Sequence, residues 1–493
     1  MQIIKRIIRY VRLIRDSIRV KRSKLFDEKW YLDKNPDIAQ KNINAVHHYI
    51  QYGGFEGRDP SPGFSSKSYL EAYPDIKNAR VNPLLHYFQY GKNEGRYGQP
   101  DNDQIVSGQS RFPVGGKKNS DSFLINFISE IISNLNNNYT DNYDYARFGP
   151  NTEENKKINF KSFIDDSLRK LNNRKQDLWA ADIQKGIQYI DPYLLRFENL
   201  YKNLADLESK QILLKVLAYR VLGYQKVRLP LNVYEYKMGV EKISKIADLN
   251  YTIPSTWNDA KLCLVDLNQI GISIKVYGTP AGIHHEFVLQ QYRCLCENDP
   301  ICVEGNDIVI DAGACWGETS LYFTHLNKPH GKTYSIEFLP QHLNILKKNI
   351  SINPNIIDRI EIIENALWSK SNLEMDFQNL GPGTTINPKL LNNKDGKTAT
   401  ITIDDLVNSR KLERVDFIKM DIEGAEYNAL KGAEKTIKKY KPKLAISLYH
   451  QLKDFLDIPE YIKSLNPSYE IYIRHFTIHS EETVLFARVI NND

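Results

Sequence analysis

The chain reads as an α/β protein: a mostly parallel sheet with an antiparallel hairpin at its end, preceded by a helical region and a small helical tandem repeat. Three observations predict this. Residues 303–487 alternate short apolar runs with helical stretches, the order that builds a parallel sheet covered on both faces. The last two apolar runs, 469–474 and 483–487, follow one another with no helix between them, which gives an antiparallel edge. Finally, residues 26–58 return at 64–96 with 16 of 33 positions identical, a period typical of stacked helical units.

Taken in order, the first strand of the sheet is the apolar run 308–310. It opens into Asp311-Ala-Gly-Ala-Cys-Trp-Gly317 and a helix start at Glu318-Thr319. Gly313 and Gly317 let the backbone pass close to a ligand where a side chain would collide, and Ala314 lies between them. The second strand ends in Glu337, whose carboxylate can accept hydrogen bonds from both hydroxyls of a ribose. A helix over 343–349 leads to the third strand, 360–363, and to Glu364-Asn365-Ala366, where side chains would meet an adenine amino edge. Residues 400–406 precede the fourth strand, 415–420, which stops at Asp421-Ile-Glu423-Gly-Ala-Glu426. The fifth strand, 443–448, ends at Tyr449-His450. Ligands of such sheets bind beyond the carboxyl ends of the strands. Asp311, Glu337, Asn365, Asp421 and His450 all fall there, so a nucleoside crevice is the leading reading.

A dinucleotide would call for G-x-G-x-x-G, with a helix N-terminus facing a pyrophosphate. Here an acid precedes the first glycine and three residues separate it from the second. That acid opposes a pyrophosphate but suits a cationic amino group. S-adenosylmethionine, with ammonium, sulfonium and ribose and no phosphate, meets the requirement. A purely structural glycine turn is the competing reading of the motif, and a nicotinamide-dependent oxidoreductase conflicts with the glycine spacing.

These residues resemble the FkbM-type methyltransferases, a branch of the class I S-adenosylmethionine-dependent enzymes. The resemblance is carried by Asp311-Ala-Gly-Ala-Cys-Trp-Gly317, Glu337-Phe-Leu-Pro340, Thr402-Ile-Asp-Asp405, and above all Val415-Asp-Phe-Ile-Lys-Met-Asp-Ile-Glu-Gly-Ala-Glu426 with Leu430-Lys-Gly432. It implies a Rossmann-like class I methyltransferase fold and O-methylation, commonly of a sugar or polyketide hydroxyl. Cofactor roles carry over by position to Asp311, Gly313, Gly317 and Glu337. With the crevice residues, the expected cofactor set is Asp311, Gly313, Ala314, Gly317, Glu318, Thr319, Glu337, Asn365, Ala366 and Asp421.

Methyl transfer to an alcohol needs alignment, exclusion of water and a base for the hydroxyl proton. His450 is the first candidate base, since an imidazole titrates near neutrality; a strand-end histidine that only hydrogen-bonds locally is its other reading. Asp421 is the second catalytic candidate, orienting the base, binding a divalent cation or contacting the acceptor. Glu423 and Glu426 could complete a cation site, or sit in a first helical turn favoured by the helix dipole. His475, His479 and Glu482 lie on or beside the terminal hairpin, where acceptor loops are plausible, and read singly as solvated loop polars; Tyr292 reads as an ordinary buried tyrosine, with a cofactor contact as its other reading. Residues 278–284 are expected to fold over the cofactor, after a short sheet at 262–265 and 272–277.

Five cysteines, an odd number, argue for reduced thiols and a cytoplasmic setting. Cys294-x-Cys296 with Cys302 lacks the second ligand pair of a zinc site, and a nucleophilic Cys315 would compete with the cofactor turn. Residues 1–24 carry Ile3, Ile4, Ile7, Ile8, Val11, Ile14 and Ile18 as one helical stripe, with nine Lys and Arg against Asp16. That segment is therefore +8 in a chain of net +6, so the basicity is local and is no nucleic-acid signature. It reads as an amphipathic helix on an anionic membrane, peripheral at the inner face, with a helix for a partner groove or a targeting peptide as the alternatives. The expected organisation is 1–25 basic helix, 26–97 repeats, 98–122 linker, 123–258 mainly helical, and 259–493 catalytic. His48 and His86 recur with Tyr49 and Tyr87 and are assigned to the repeat cores. The repeats resemble modules found beside glycosyltransferases, which implies a glycan or saccharide acceptor. The alternative of a different class is an inactive glycan-binding scaffold with a methyltransferase fold.

Overall fold

A computed structural model of the chain describes residues 23–96 other than 42 and 93, residues 123–143, and residues 189–490 other than 232, 233, 256–260, 297 and 298, together with 13, 16, 17, 19–21 and 98. Most of the basic stretch 1–24, the expected linker, and the helical pattern over 160–188 lie outside these residues. The chain divides into two compact units: residues 1–132 with 175–195, and residues 133–174 with 196–493. The helical region expected over 123–258 is therefore shared between the units.

In the first unit the same elements occur twice at an offset of 38 residues. Helices Glu28–Lys34, Pro36–Gln40 and Ala45–His48, running into a π-helical turn at Tyr49–Gly53, are followed by Ser66–Ala72, Pro74–Asn78, Pro83–His86 and a π turn at Tyr87–Gly91. Local chemistry sets the ends: Asp27 and Ser65 cap the first helix of each copy, and Asn44 and Asn82 the third. Pro36 and Pro74 open the second helices, where a missing N–H costs nothing. Tyr31, Tyr49, Phe64, Tyr69 and Leu84 form the shared core. His48 Nδ1 lies 2.9 Å from the Tyr31 hydroxyl, and His86 Nδ1 lies 3.0 Å from that of Tyr69. Gly53 and Gly91 are required because a Cβ there would strike the same tyrosine oxygens. Leu13 and Val20, the buried apolar residues described in the basic stretch, join this core.

The second unit begins its sheets with β1 (Ala247–Pro254), β2 (Lys261–Asp266) and β3 (Lys275–Gly278), a small antiparallel sheet. Of these, β1 has no counterpart in the sequence reading: its pattern of half-buried and exposed residues gives no apolar alternation to find. Then come β4 (Ile308–Ala312), β5 (Lys332–Ile336), β6 (Ile360–Ile363), β7 (Ala366–Leu367), β8 (Glu374–Phe377), β9 (Gly396–Ile401), β10 (Phe417–Met420), β11 (Lys443–Ser447), β12 (Tyr469–His475) and β13 (Thr483–Val489). The main sheet has seven strands in the order β12-β13-β11-β10-β4-β5-β6. Its β11, β10, β4, β5 and β6 run parallel, while β13 and β12 form the antiparallel edge. Central β10 is buried along its whole length, as expected of a strand covered on both faces. A further small sheet, β7-β9-β8, follows β6.

Two asparagines tie β3 to the helix that follows β5. On helix Pro340–Ser351, Asn349 accepts from Tyr277 N at 2.7 Å and donates to Tyr277 O and Trp316 O. Asn353 repeats the grip on Lys275. The segment that follows β3 is thereby placed over the carboxyl end of β4.

Replacing Tyr31 by Phe strips the buried His48 nitrogen of its partner. Such an orphaned group costs about 1–3 kcal/mol, so Tyr31→Phe should lower the urea midpoint of the first unit's unfolding. Leu32→Ala, on a half-buried side chain nearby, should leave His48 unperturbed when its titration is followed by NMR.

Candidate active site

The strand order brings the carboxyl ends of β4, β5, β6, β10 and β11 to one rim. Asp311 is fully buried there. Its carboxylate accepts from Thr319 Oγ1 at 2.7 Å and Ser320 Oγ at 2.6 Å, and pairs with Lys419 Nζ at 3.2 Å. Lys419 also donates to the Gly313 carbonyl at 2.7 Å. Burial disfavours the Lys419 charge, but Asp311, Asp421 and Glu286 outweigh that and hold its pKa above the usual lysine value. Asp311 thus works inward, bracing the turn, and lines neither of the clefts described below.

The two glycines serve the protein's own packing. With φ of +80° and +94°, Gly313 and Gly317 are in the left-handed region. A Cβ on Gly313 would strike the Asp421 carbonyl, and one on Gly317 would strike Leu346. Between them Cys315 also has a positive φ, 46°, and its N–H donates to Glu337 Oε2 at 3.1 Å. Glu337 Oε1 takes the N–H groups of Phe338 and Leu339 at 2.7 and 2.8 Å, and His342 Nδ1 stands 3.4 Å from Oε2. These bonds fix the carboxylate on the wall of the smaller cleft, with Asn365, Ala366 and Ile386 beside it.

A larger cleft of about 460 Å³ adjoins it, within the range of about 300–1,000 Å³ usual for small-molecule sites. Ala314, Glu318 and Thr319 line it from the helix that starts after Gly317, and Thr279 to Gly282, His285 and Glu286 from the segment behind β3. Gly313, Cys315, Pro382 and Asp421 belong to both clefts and mark their junction. Gly317 is on neither wall.

Four carboxylates face the larger cleft, those of Glu286, Glu318, Asp421 and Glu482, against Lys419. Burial pushes Glu318 up to about 7. Asp421 accepts from the hydroxyls of Tyr292 at 3.1 Å and Tyr449 at 3.0 Å. Burial raises both phenols further from ionisation, and Asp421 adds to the effect, so they stay donors. Tyr292, buried as the sequence reading expected, is a cleft residue. So are His479 and Glu482, expected to be solvated loop polars; His479 is 2 % exposed.

His450 lies behind this wall. Its side chain is 6 % exposed, with Nε2 3.1 Å from Glu423 and 3.5 Å from Asp421, and Nδ1 3.2 Å from Glu426. Burial opposes a charge here, yet Glu426 and Glu423 hold the ring well above the ordinary histidine pKa. His450 lines neither cleft, so its ring stands behind the wall rather than opening onto the space that a ligand would fill. Glu426 is first-turn and acidic as the dipole reading expected, and it also accepts from Ile422 N at 2.8 Å. Asp421, Glu423 and His450 offer ligand atoms within 4.8 Å of one another and could hold a cation, as could Glu426, His450 and Asp454.

Lys419, Tyr449 and Glu286 were not found from sequence. Lys419 interrupts an apolar strand without breaking it, and a lysine inside Ile-Lys-Met was the signal available for it.

This sheet order, with the glycine turn after β4 and the acid after β5, defines a class I methyltransferase fold in the second unit. Residues 311–469 match the family model described as the methyltransferase FkbM domain. Among solved structures, methyltransferase FkbM from Methylobacillus flagellatus KT is similar at 24% identity and a TM-score of 0.38, over 60% of this chain and 59% of that one. The chain thus spans less than two thirds of that relative. An O-methyltransferase from Bacillus cereus in complex with SAH matches at 14% identity and a TM-score of 0.29, over 52% of this chain and 100% of its own. Aeropyrum pernix fibrillarin with bound S-adenosyl-L-methionine matches at 13% identity and a TM-score of 0.24, over 38% and 68%. No curated protein matches the chain.

Breaking a buried ion pair by removing one partner costs about 3–5 kcal/mol. Lys419→Met should therefore destabilise the second unit by that order in chemical denaturation, while Lys419→Met with Asp311→Asn should recover much of the loss.

Proposed function

We propose that the second unit is an S-adenosylmethionine-dependent O-methyltransferase acting on a hydroxyl of a saccharide, in a glycan or lipid-linked intermediate. The observation that carries this reading is the pair of joined clefts, acidic on both sides of a shared Gly313–Asp421 junction. An acid at the ribose position in one cleft and carboxylates in the other suit a nucleoside with a cationic tail and oppose a phosphate. Glu337, Asn365 and Ala366 would hold the nucleoside. Gly313, Ala314, Glu318 and Thr319 would hold the amino-acid end, with Glu318 facing its ammonium. Asp311 and Gly317 contribute by shaping the turn.

The cofactor supplies a methyl group already activated for in-line displacement by a positive sulfur. The chain's own part is to align the acceptor, exclude water and accept a proton. Side chains such as Gln291, Tyr292, His479 and Glu482 supply the mixed donors and acceptors that a polyhydroxyl ligand requires. Asp421, held by two tyrosines, orients that wall. His450 sits among the acids behind it. A divalent cation held by Asp421, Glu423 and His450 is the second reading.

Residues 1–24 are proposed to make a peripheral contact with an anionic membrane through their charge of +8. Among the described residues no helix is long and apolar enough to cross a bilayer. Deleting residues 1–12 should weaken co-sedimentation with phosphatidylserine vesicles; undiminished binding would remove this proposal.

Calorimetry should detect S-adenosylmethionine binding. Labelled methyl groups should pass to members of a panel of cell-envelope saccharides, with chelator making no difference. Binding without transfer to any of them would favour a scaffold. Since a carboxylate at about 7 faces the cleft, cofactor affinity should rise with pH through about 7 and then level off, because only the ionised form attracts the ammonium. Glu318→Gln should weaken binding and flatten that profile.

A further inference from the structure

We propose that Glu286 is the general base of this centre, taking the proton of the acceptor hydroxyl as the methyl group moves. The inference rests on the methyl-transfer reading above and names the residue that reading leaves open.

Apart from Glu318, treated below, the other acids near the junction are already held by partners. Asp421 is held by two phenols, Glu482 accepts from Gln291, Glu337 caps three backbone N–H groups, Asp311 braces the turn, and Glu423 faces His450. Glu286 differs. Its side chain lines the larger cleft, and its Oε2 is shut off from solvent with no hydrogen-bond partner. An oxygen left like this carries a desolvation cost, which an incoming donor would relieve. The residue sits on a π-helical turn, His284–Val288, just after the short helix Pro280–Ile283. Such turns are frequent at functional sites because the extra residue re-aims side chains.

The surrounding charges make Glu286 responsive. Lys419 on β10, Glu482 in the β12–β13 loop, Glu318 at the helix start and Asp311 on β4 all act on it. Burial raises its pKa well above the carboxylate range, Lys419 opposes this, and the three acids reinforce it. A further positive charge at the junction would act on Glu286 in the same sense as Lys419, favouring the ionised form that can accept a proton. In the transfer step the acceptor oxygen bonds the methyl carbon and the carbon–sulfur bond breaks, its electron pair staying on sulfur. The acceptor O–H proton passes to Glu286, which then loses it through the cleft. Glu318 is the competing carboxylate, but it is on the glycine-turn helix with the residues assigned to the ammonium.

S-adenosylmethionine and S-adenosylhomocysteine share the ammonium and differ in charge at sulfur. Calorimetry of each ligand, in two buffers of different ionisation enthalpy, counts the protons released on binding. The wild-type protein should release more with the sulfonium than with the thioether. Glu286→Gln should bind both ligands and lose that difference, and Glu318→Gln should keep it. On any saccharide that wild-type protein methylates, Glu286→Gln should lower kcat by about 100- to 10,000-fold. Glu286→Asp, the check against misfolding, should keep the proton difference while slowing transfer. A difference that persists in Glu286→Gln, or is missing from the wild type, overturns the assignment. Wild-type protein that binds neither ligand overturns the methyl-transfer reading instead.

Discussion

The site depends on one buried charge pair. Lys419 and Asp311 are register partners on β10 and β4, the two central strands. Their side chains meet 3.2 Å apart, with Lys419 2 % exposed and Asp311 fully buried. Desolvating two ions is expensive, and further hydrogen bonds offset part of that cost. Here Thr319 and Ser320 both donate to Asp311 Oδ2, and Lys419 donates to the Gly313 carbonyl. One interaction therefore sets where β4 stops, how the glycine turn leaves it and where the next helix starts. The cleft walls inherit that geometry.

Most of the sheet was legible in the sequence because strands buried on both faces leave continuous apolar runs. The runs at 308–310, 360–363 and 443–448 correspond to β4, β6 and β11 within two residues at each end. The paired runs near the end correspond to β12 and β13. What could not be read was which way a polar side chain turns at a strand end. Asp311 and Glu337 look alike in a pattern, yet one points into the protein and the other lines a cleft. The glycines were legible as special positions, though their neighbours are Asp421 and Leu346, partners distant in the chain. Glu286 was out of reach for the same reason: its place above the cleft follows from Asn349 and Asn353 gripping β3, a contact across more than seventy residues.

Behind the cleft, Glu423, Glu426 and Asp454 gather around His450. Burial raises Asp454 to about 8, with Glu426 adding to it, while His450 moves upward under its acidic neighbours. Both shifts are upward: burial favours the neutral acid at Asp454, while the acidic neighbours favour the charged ring at His450.

In the first unit, Asn82 does two jobs. Its side-chain oxygen caps the third helix of its own copy, and its amide nitrogen reaches back to the Tyr49 carbonyl of the copy before. Asn44 caps the matching helix in the earlier copy. The joint needs nothing beyond what each copy already carries, so such an array can lengthen by duplication in whole steps of one period. An insertion of any other size would pull the amide off its carbonyl, which makes the spacing itself heritable.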